Sequence, residues 1–112
     1  LPGRFVKHIL DGAAALKLNV LHWHIVDSQS FPFVSAAFPH LSDAAYAPEA
    51  TYSATELKEI VAYAESKGVR VMPEFDMPGH GDWLKGAPEV MVADGPCNNT
   101  MDPTKDATYD TL

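Results

Sequence analysis

Small and apolar residues near the start of the chain have helical spacing. Over residues 4–16 they recur every three or four positions, the repeat of one helix face, at Phe5, Ile9, Gly12, Ala13 and Leu16. The pattern predicts a helix that packs through this row, with Gly12 as a weak point because glycine lowers helix stability.

Two short runs further along are almost continuously apolar. The first, "VLHWHIVD", covers residues 20–27, and the second, "VRVMPEF", covers residues 69–75. Branched and aromatic residues dominate both runs, and neither is long enough for an ordinary helix. We therefore predict two strands that are buried on both faces.

The region between these runs predicts a long connection followed by a helix. Residues 28–52 are rich in serine, proline and aromatic residues, and connections of this length inside a domain are usually functional. Ser53 is a suitable N-cap, Glu56 completes a capping box, and Gly68 predicts the helix end. The expected apolar face of this helix consists of Leu57, Ile60, Val61 and Ala64. Another helix is expected from Thr104.

This order of elements predicts an α/β fold. Helices alternate with strands at a spacing typical of a parallel sheet with right-handed crossovers. Asp27 ends the first strand and Asp76 follows the second. In such folds the chemistry lies at the carboxyl ends of the strands. A glycine-rich phosphate loop follows neither strand, which argues against nucleotide binding.

Length and charge narrow the class of partner. The chain has 112 residues, 46% of them hydrophobic, and a formal net charge of −7. The length fits one small domain. The negative charge argues against nucleic acid as the main partner, because phosphate binding needs clustered lysine and arginine. The sequence also lacks an apolar run of about 18 residues, so no membrane span is expected.

Polar residues at the two strand ends are the candidates for chemistry. His22 and His24 are two positions apart and share one face of a strand, either as hydrogen-bonded wall residues or as metal ligands. Glu74 and Asp76 share a face of the second strand. The Pro-Gly turn after it could return His80 toward both carboxylates, where the pKa of an imidazole rises.

Three later residues have more than one interpretation. Trp83 suits either packing or stacking against a sugar ring, and packing is the commoner role of tryptophan. Asn98, in "CNNT", matches the acceptor pattern for N-glycosylation. With the single cysteine, Cys97, it indicates a secreted, lysosomal or vacuolar chain in which Cys97 pairs with a cysteine outside these residues.

Two long motifs resemble a known family. The segments "KLNVLHWHIVDSQSFPF" and "YSATELKEIVAYAESKGVRVMPEFDMPGHGDW" are similar to the catalytic barrel of glycoside hydrolase family 20, the β-N-acetylhexosaminidases. The resemblance implies a (β/α)8 TIM barrel. Residues 1–112 would form a fragment of that barrel, from its first helix through the start of its third, with two parallel strands.

The resemblance also implies roles for individual residues. Asp27 and His80 match a supporting pair that positions the general acid, and Asp76 matches an aspartate that helps hold the site together. The two histidines flanking Trp23 are not metal ligands in this family, which needs neither metal nor cofactor. Many members carry a second aspartate where this chain has Ser28.

The family mechanism is substrate-assisted, an exception to the use of two enzyme carboxylates. The acetamido carbonyl of the sugar attacks its own anomeric carbon, while an adjacent Asp-Glu pair orients that group and protonates the leaving oxygen. No adjacent Asp-Glu pair occurs in the 112 residues, and the substrate-binding arginine would precede Leu1. The expected substrates are glycans or chitooligosaccharides containing N-acetylglucosamine or N-acetylgalactosamine. We expect the fragment alone to be inactive and poorly folded, and the parent could be a dimer.

Two alternatives remain open at this point. One is a metal-dependent barrel hydrolase built on His22, His24 and Asp76. The other is a non-catalytic carbohydrate-binding relative whose downstream carboxylates have been lost.

Overall fold

The computed structural model describes residues 1–93 and 95–111. Its main elements are α1 (Gly3–Ala15), β1 (Val20–Val26), α2 (Ala54–Ser66), β2 (Arg70–Phe75) and α3 (Asp106–Thr111). Short 3-10 segments cover Pro39–Ala44, Asp82–Gly86 and Pro88–Val90. The predicted helices and strands are all present, with boundaries that differ by one or two residues.

The strands β1 and β2 pair in parallel, as the alternation of elements predicts. Helices α1 and α2 pack together beside this pair, and α2 forms the crossover between the strands. This arrangement is an α/β unit of the kind that repeats around a barrel.

Local sequence determines both ends of α2. The Ser53 hydroxyl accepts a hydrogen bond from the backbone N–H of Glu56 at 3.2 Å, which satisfies one of the free donors of the first turn. At the other end Gly68 has a φ of +73°. Its N–H donates to the carbonyl of Glu65, and Val69 donates to that of Ala64, which is the Schellman pattern.

The predicted apolar face of α1 is wrong. Val6 and Leu10 are buried, whereas Phe5 is 48% exposed, Ile9 40% and Leu16 75%. Both rows have the same helical spacing and lie side by side on the helix, so the periodicity alone does not choose between them. On α2, Ile60 and Ala64 are buried as expected, but Val61 is exposed.

The prediction that both faces of the strands are buried is also wrong within these residues. His22, His24 and Met72 lie on an exposed face of the two-stranded sheet. The opposite face carries Leu21 and Val71, which pack against the core. The described helices pack on that second face, and among the described residues no helix covers the first.

The buried cluster extends from the two helices into the loops after the strands. It joins Leu10 and Ile60 to a group contributed by the connections, consisting of Phe31, Leu41, Trp83, Leu84, Val90 and Met101. The long connection after β1 is therefore a packed structure. It supports the carboxyl ends of both strands from one side.

Candidate active site

An irregularity in β1 brings Asp27 onto the same face as His24. His24 pairs with Glu74, but Val26 pairs with Phe75, so β1 contains one extra residue between these pairs. Strand alternation alone would put His24 and Asp27, three positions apart, on opposite faces. The bulge reverses the alternation once, and Oδ2 of Asp27 lies 3.7 Å from Nε2 of His24.

Asp76 completes the carboxylate pair from the end of β2. Its backbone N–H donates to the carbonyl of Val26 at 3.2 Å, which extends the pairing of the strands by one residue. Oδ2 of Asp76 then lies 3.5 Å from Nε2 of His24. Both strand-end aspartates therefore lie beside the same imidazole.

His80 returns over the strand ends, as the Pro-Gly turn suggested. Its Nδ1 lies 3.0 Å from Oδ1 of Asp27 and 2.8 Å from Oδ2 of Asp76. The backbone of His80 has a φ of +56°, a left-handed conformation that is uncommon for a residue with a Cβ. The backbone N–H of Ser28 donates to Oδ1 of Asp27 at 2.6 Å and helps to orient that carboxylate.

The two carboxylates raise the pKa of His80. The largest cause is the hydrogen bond to Asp76, followed by the charge of Asp76 and then that of Asp27. His80 is 64% exposed, so solvent screens these interactions. Two carboxylates beside one imidazole favour the protonated imidazole. Such an arrangement can hold a proton donor beside a reacting group.

The metal ligands proposed from sequence are only partly brought together. Nε2 of His22 contacts Oε2 of Glu74 and lies outside the group that could hold an ion. Within the described ranges, the group whose ligand atoms lie within 4.8 Å of one another is His24, Asp27 and Asp76. These are nitrogen and oxygen donors of the types that zinc accepts.

Trp83 packs below the site. It is 3% exposed and lies against Phe31, with ring centroids 4.7 Å apart, so its faces are covered by protein. Its indole N–H is buried without a hydrogen-bond partner in the described part of the chain. The packing alternative for Trp83 therefore agrees with the structure, and the indole supports the loop that follows His80.

Asn98 and Cys97 lie in an exposed turn. Cys97 is a free thiol among residues 1–93 and 95–111, and its predicted partner falls outside them. The exposure of Asn98 leaves room for a glycan. Both modifications stay predictions.

Sequence reasoning missed the bridging position of His24. Strand parity put His24 beside His22, but the contacts of His24 with Asp27 and Asp76 depend on the bulge. Bulges carry no reliable local signal in a run such as "WHIVD". The outward face shared by the two histidines was the available clue.

Comparisons with known proteins agree with the resemblance. The sequence profile of the glycosyl hydrolase family 20 catalytic domain matches residues 1–111. The human beta-hexosaminidase subunit beta is 41% identical over 123 residues, which cover 100% of this chain and 22% of the human protein. The chain therefore spans about a fifth of the length of that relative.

Two solved structures share the fold. The Flavobacterium johnsoniae chitobiase superposes with a TM-score of 0.88 and 37% identity, covering 99% of this chain and 18% of that one. A mutant Streptomyces plicatus beta-hexosaminidase in complex with its product GlcNAc gives a TM-score of 0.83 and 29% identity, covering 99% and 26%. The α/β class and the partial barrel are thereby confirmed. Among the described residues, no helix has both the length and the apolar character needed to cross a membrane.

Proposed function

Because the chain belongs to glycosyl hydrolase family 20, we propose that it forms part of a β-N-acetylhexosaminidase that removes terminal, non-reducing N-acetylhexosamine residues from glycans. Residues 1–112 would supply two parallel strands of the catalytic barrel, in the part that runs from its first helix through the start of its third. The general acid and the acetamido-orienting aspartate would come from a strand outside these residues.

The observation that carries this proposal is the contact of His80 with both Asp27 and Asp76. These residues come from the ends of two neighbouring parallel strands and the turn after the second, where barrel enzymes place their active sites. With Nδ1 of His80 held by the two carboxylates, Nε2 is the nitrogen through which His80 would contact the general acid. The carboxylates fix the orientation of the imidazole and favour its charge.

In this proposal the residues of the chain act on proton transfer. The acetamido oxygen of the substrate attacks the anomeric carbon, and the leaving oxygen takes a proton from a glutamate outside the chain. His80 and Asp27 hold that glutamate in position and influence its protonation, while Asp76 and His24 brace the pair. Asp27, Asp76 and His80 are therefore positioning residues for the chemical step.

The substrate class follows from the same proposal. The Streptomyces plicatus relative is described in complex with GlcNAc as its product, which supports an N-acetylglucosamine-containing substrate for this protein. N-acetylgalactosamine-containing glycans and chitooligosaccharides belong to the same class. Dimerisation of the parent stays a prediction.

An assay of the full-length protein with a matched substrate pair tests this function. We expect hydrolysis of an aryl β-N-acetylglucosaminide and at least ~100-fold less hydrolysis of the corresponding aryl β-glucoside, because the glucoside lacks the internal acetamido nucleophile that replaces an enzyme nucleophile in this class. Equal rates on both substrates would contradict a substrate-assisted mechanism. Binding of the aminosugar without hydrolysis would favour a non-catalytic relative.

The group His24, Asp27 and Asp76 gives the metal-dependent hydrolase a specific basis as a second candidate. The two functions differ in their response to a chelator. The hexosaminidase keeps its activity in excess EDTA, whereas a metal-dependent hydrolase loses activity and regains it when zinc is added. Dialysis against EDTA followed by metal analysis separates them.

We also propose a secreted, lysosomal or vacuolar location for the full-length protein. The exposed turn with Asn98 and Cys97 supports it, because glycosylation and disulfide formation belong to the secretory pathway. Mass spectrometry of protein from the native cell would detect a glycan on Asn98 and an oxidised Cys97. An unmodified asparagine with a free thiol would remove the basis for this location.

A further inference from the structure

The turn that carries His80 is hydrogen-bonded on both sides to a later part of the chain. Residues 95–101, here called the return segment, run back beside this turn. The Gly81 N–H donates to the carbonyl of Asn99 at 2.7 Å, and the Met101 N–H donates to the carbonyl of Pro78 at 2.8 Å. The two bonds enclose Gly79 and His80 between them.

The return segment is itself anchored to the buried core. Met91 and Met101 form an antiparallel bridge, and the Val92 N–H donates to the carbonyl of Thr100 at 2.9 Å. The Met101 side chain is buried. The return segment therefore connects the turn to the buried core.

His80 needs such support because of its backbone conformation. A left-handed φ on a histidine is less stable than an extended or helical one and persists where the surroundings impose it. The bonds at Pro78 and Gly81 restrain both flanks of the histidine. Its side chain is then held against Asp27 and Asp76 at 3.0 and 2.8 Å.

Gly81 marks the closest approach of the return segment. A Cβ at this position would come within 2.7 Å of the Asn99 carbonyl oxygen and within 2.7 Å of Cδ1 of Leu84. Leu84 is fully buried, and the carbonyl belongs to the backbone and already accepts the Gly81 hydrogen bond. At Gly79, two residues earlier in the same turn, a Cβ would meet nothing within 4 Å.

We propose that the return segment is a positioning element of the active site, and that Gly81 is the positioning residue through which it holds His80 against the two aspartates. The inference rests on the function proposed above. In this proposal the contribution of Asn99 is its backbone carbonyl, which accepts the hydrogen bond from Gly81. The Asn99 side chain has no part in it.

A pair of glycine substitutions in the full-length enzyme tests the proposal. Gly81→Ala pushes the return segment away from the turn, and we expect kcat to fall ~10- to 100-fold with a smaller change in KM, because a displacement of about 1 Å in a catalytic group costs this much. Gly79→Ala should change kcat and KM little.

Equal losses in Gly81→Ala and Gly79→Ala would overturn the proposal, since any disturbance of the turn would then suffice. A rise in KM with an unchanged kcat in Gly81→Ala would overturn it as well, because the lost interaction would then not belong to the chemical step.

Hydrogen exchange on the unmodified enzyme supplies a test that does not depend on a variant's folding. The amide protons of Gly81 and Met101 should be protected to a similar degree, because the two bonds open together when the return segment leaves. Rapid exchange of Gly81 beside a protected Met101 would contradict the proposal. This measurement stands even if the enzyme proves inactive on aminosugars, so it separates failure of this inference from failure of the proposed function.

Discussion

Two clusters of charged side chains on this chain differ in how their charges are paired. Between α1 and α2, Nζ of Lys67 lies 2.8 Å from Oδ1 of Asp11, and the Tyr63 hydroxyl donates to the same oxygen at 2.8 Å. Each charge there has one partner of opposite sign. At the strand ends, His80 instead lies between Asp27 and Asp76.

The two arrangements differ in what they do to the pKa values of their members. The helix network is balanced: the hydrogen bond from Lys67 lowers the pKa of Asp11, and the one to Asp11 raises the pKa of Lys67. Both groups therefore stay charged throughout the neutral range. The strand-end cluster places two carboxylates close together, and it raises the pKa of a group that titrates near neutrality. Clusters in which like charges lie close together and shift the pKa of a neighbouring group are typical of active sites.

The largest predicted effect is on turnover and comes from the strand-end cluster. In the full-length enzyme, His80→Ala should lower kcat by up to ~10²–10⁴-fold, the usual worth of general acid–base assistance, with a smaller change in KM. Asp27→Asn should act similarly. The double variant should be little worse than either single one, because the two residues act as a unit.

Lys67→Met is the matched control for that series, since it breaks the helix network at a distance from the site. It should leave kcat unchanged. Steady-state kinetics measure both variants. A comparable loss of kcat in Lys67→Met, or full activity in His80→Ala, would contradict the claim that only the strand-end cluster affects turnover.

The next effect is on stability and concerns the apolar contact between α1 and α2. Ile60 is fully buried in the same cluster as Leu10 of α1. Ile60→Ala should destabilise the fold by about 2–5 kcal/mol, the range for deleting such a side chain. Thermal unfolding of the full-length protein measures this. The substitution Val61→Ala, at the exposed neighbouring position, serves as the comparison.

A change of pH should affect the two networks in different ranges. The folded-state pKa of His80 is raised above 6.5, so its favourable interaction is complete below that value and is lost as the pH rises through the raised pKa. The pKa of Asp11 is lowered below 3.8, so its contribution is present above that value and is lost as the pH falls through the lowered pKa.

NMR titration of the His80 ring should give a pKa above 6.5 that falls in Asp76→Asn more than in Asp27→Asn, in the order of the causes. An unshifted ring, or a larger fall in Asp27→Asn, would show that the charge distribution differs from the one described.

The smallest effect should come from the helix network itself. Lys67 and Asp11 are exposed to solvent, and exposed ion pairs contribute little to stability. Lys67→Met should lower the melting temperature slightly at low salt and hardly at all at high salt, because salt screens the interaction that is removed. A loss as large as that of Ile60→Ala would show that the network, and not the apolar contact, joins the helices.

Local sequence determined much of this chain. The ends of α2 follow from Ser53 and Gly68, because capping bonds and a left-handed glycine involve residues only a few positions apart. The strands follow from their apolar runs, and the two long motifs are specific enough to indicate the family. Asp27, Asp76 and His80 were identified because they follow the two apolar runs and lie within the two motifs.

Tertiary structure decided which of several equally periodic patterns is used. On α1 the rows through Phe5 and Val6 both have helical spacing, and only the packing against α2 and the buried cluster selects the second. The bulge that turns Asp27 toward His24 arises from the pairing of two strands, and the hydrogen bonds that flank His80 come from residues 95–101. These features depend on contacts between distant parts of the chain, so no local pattern encodes them.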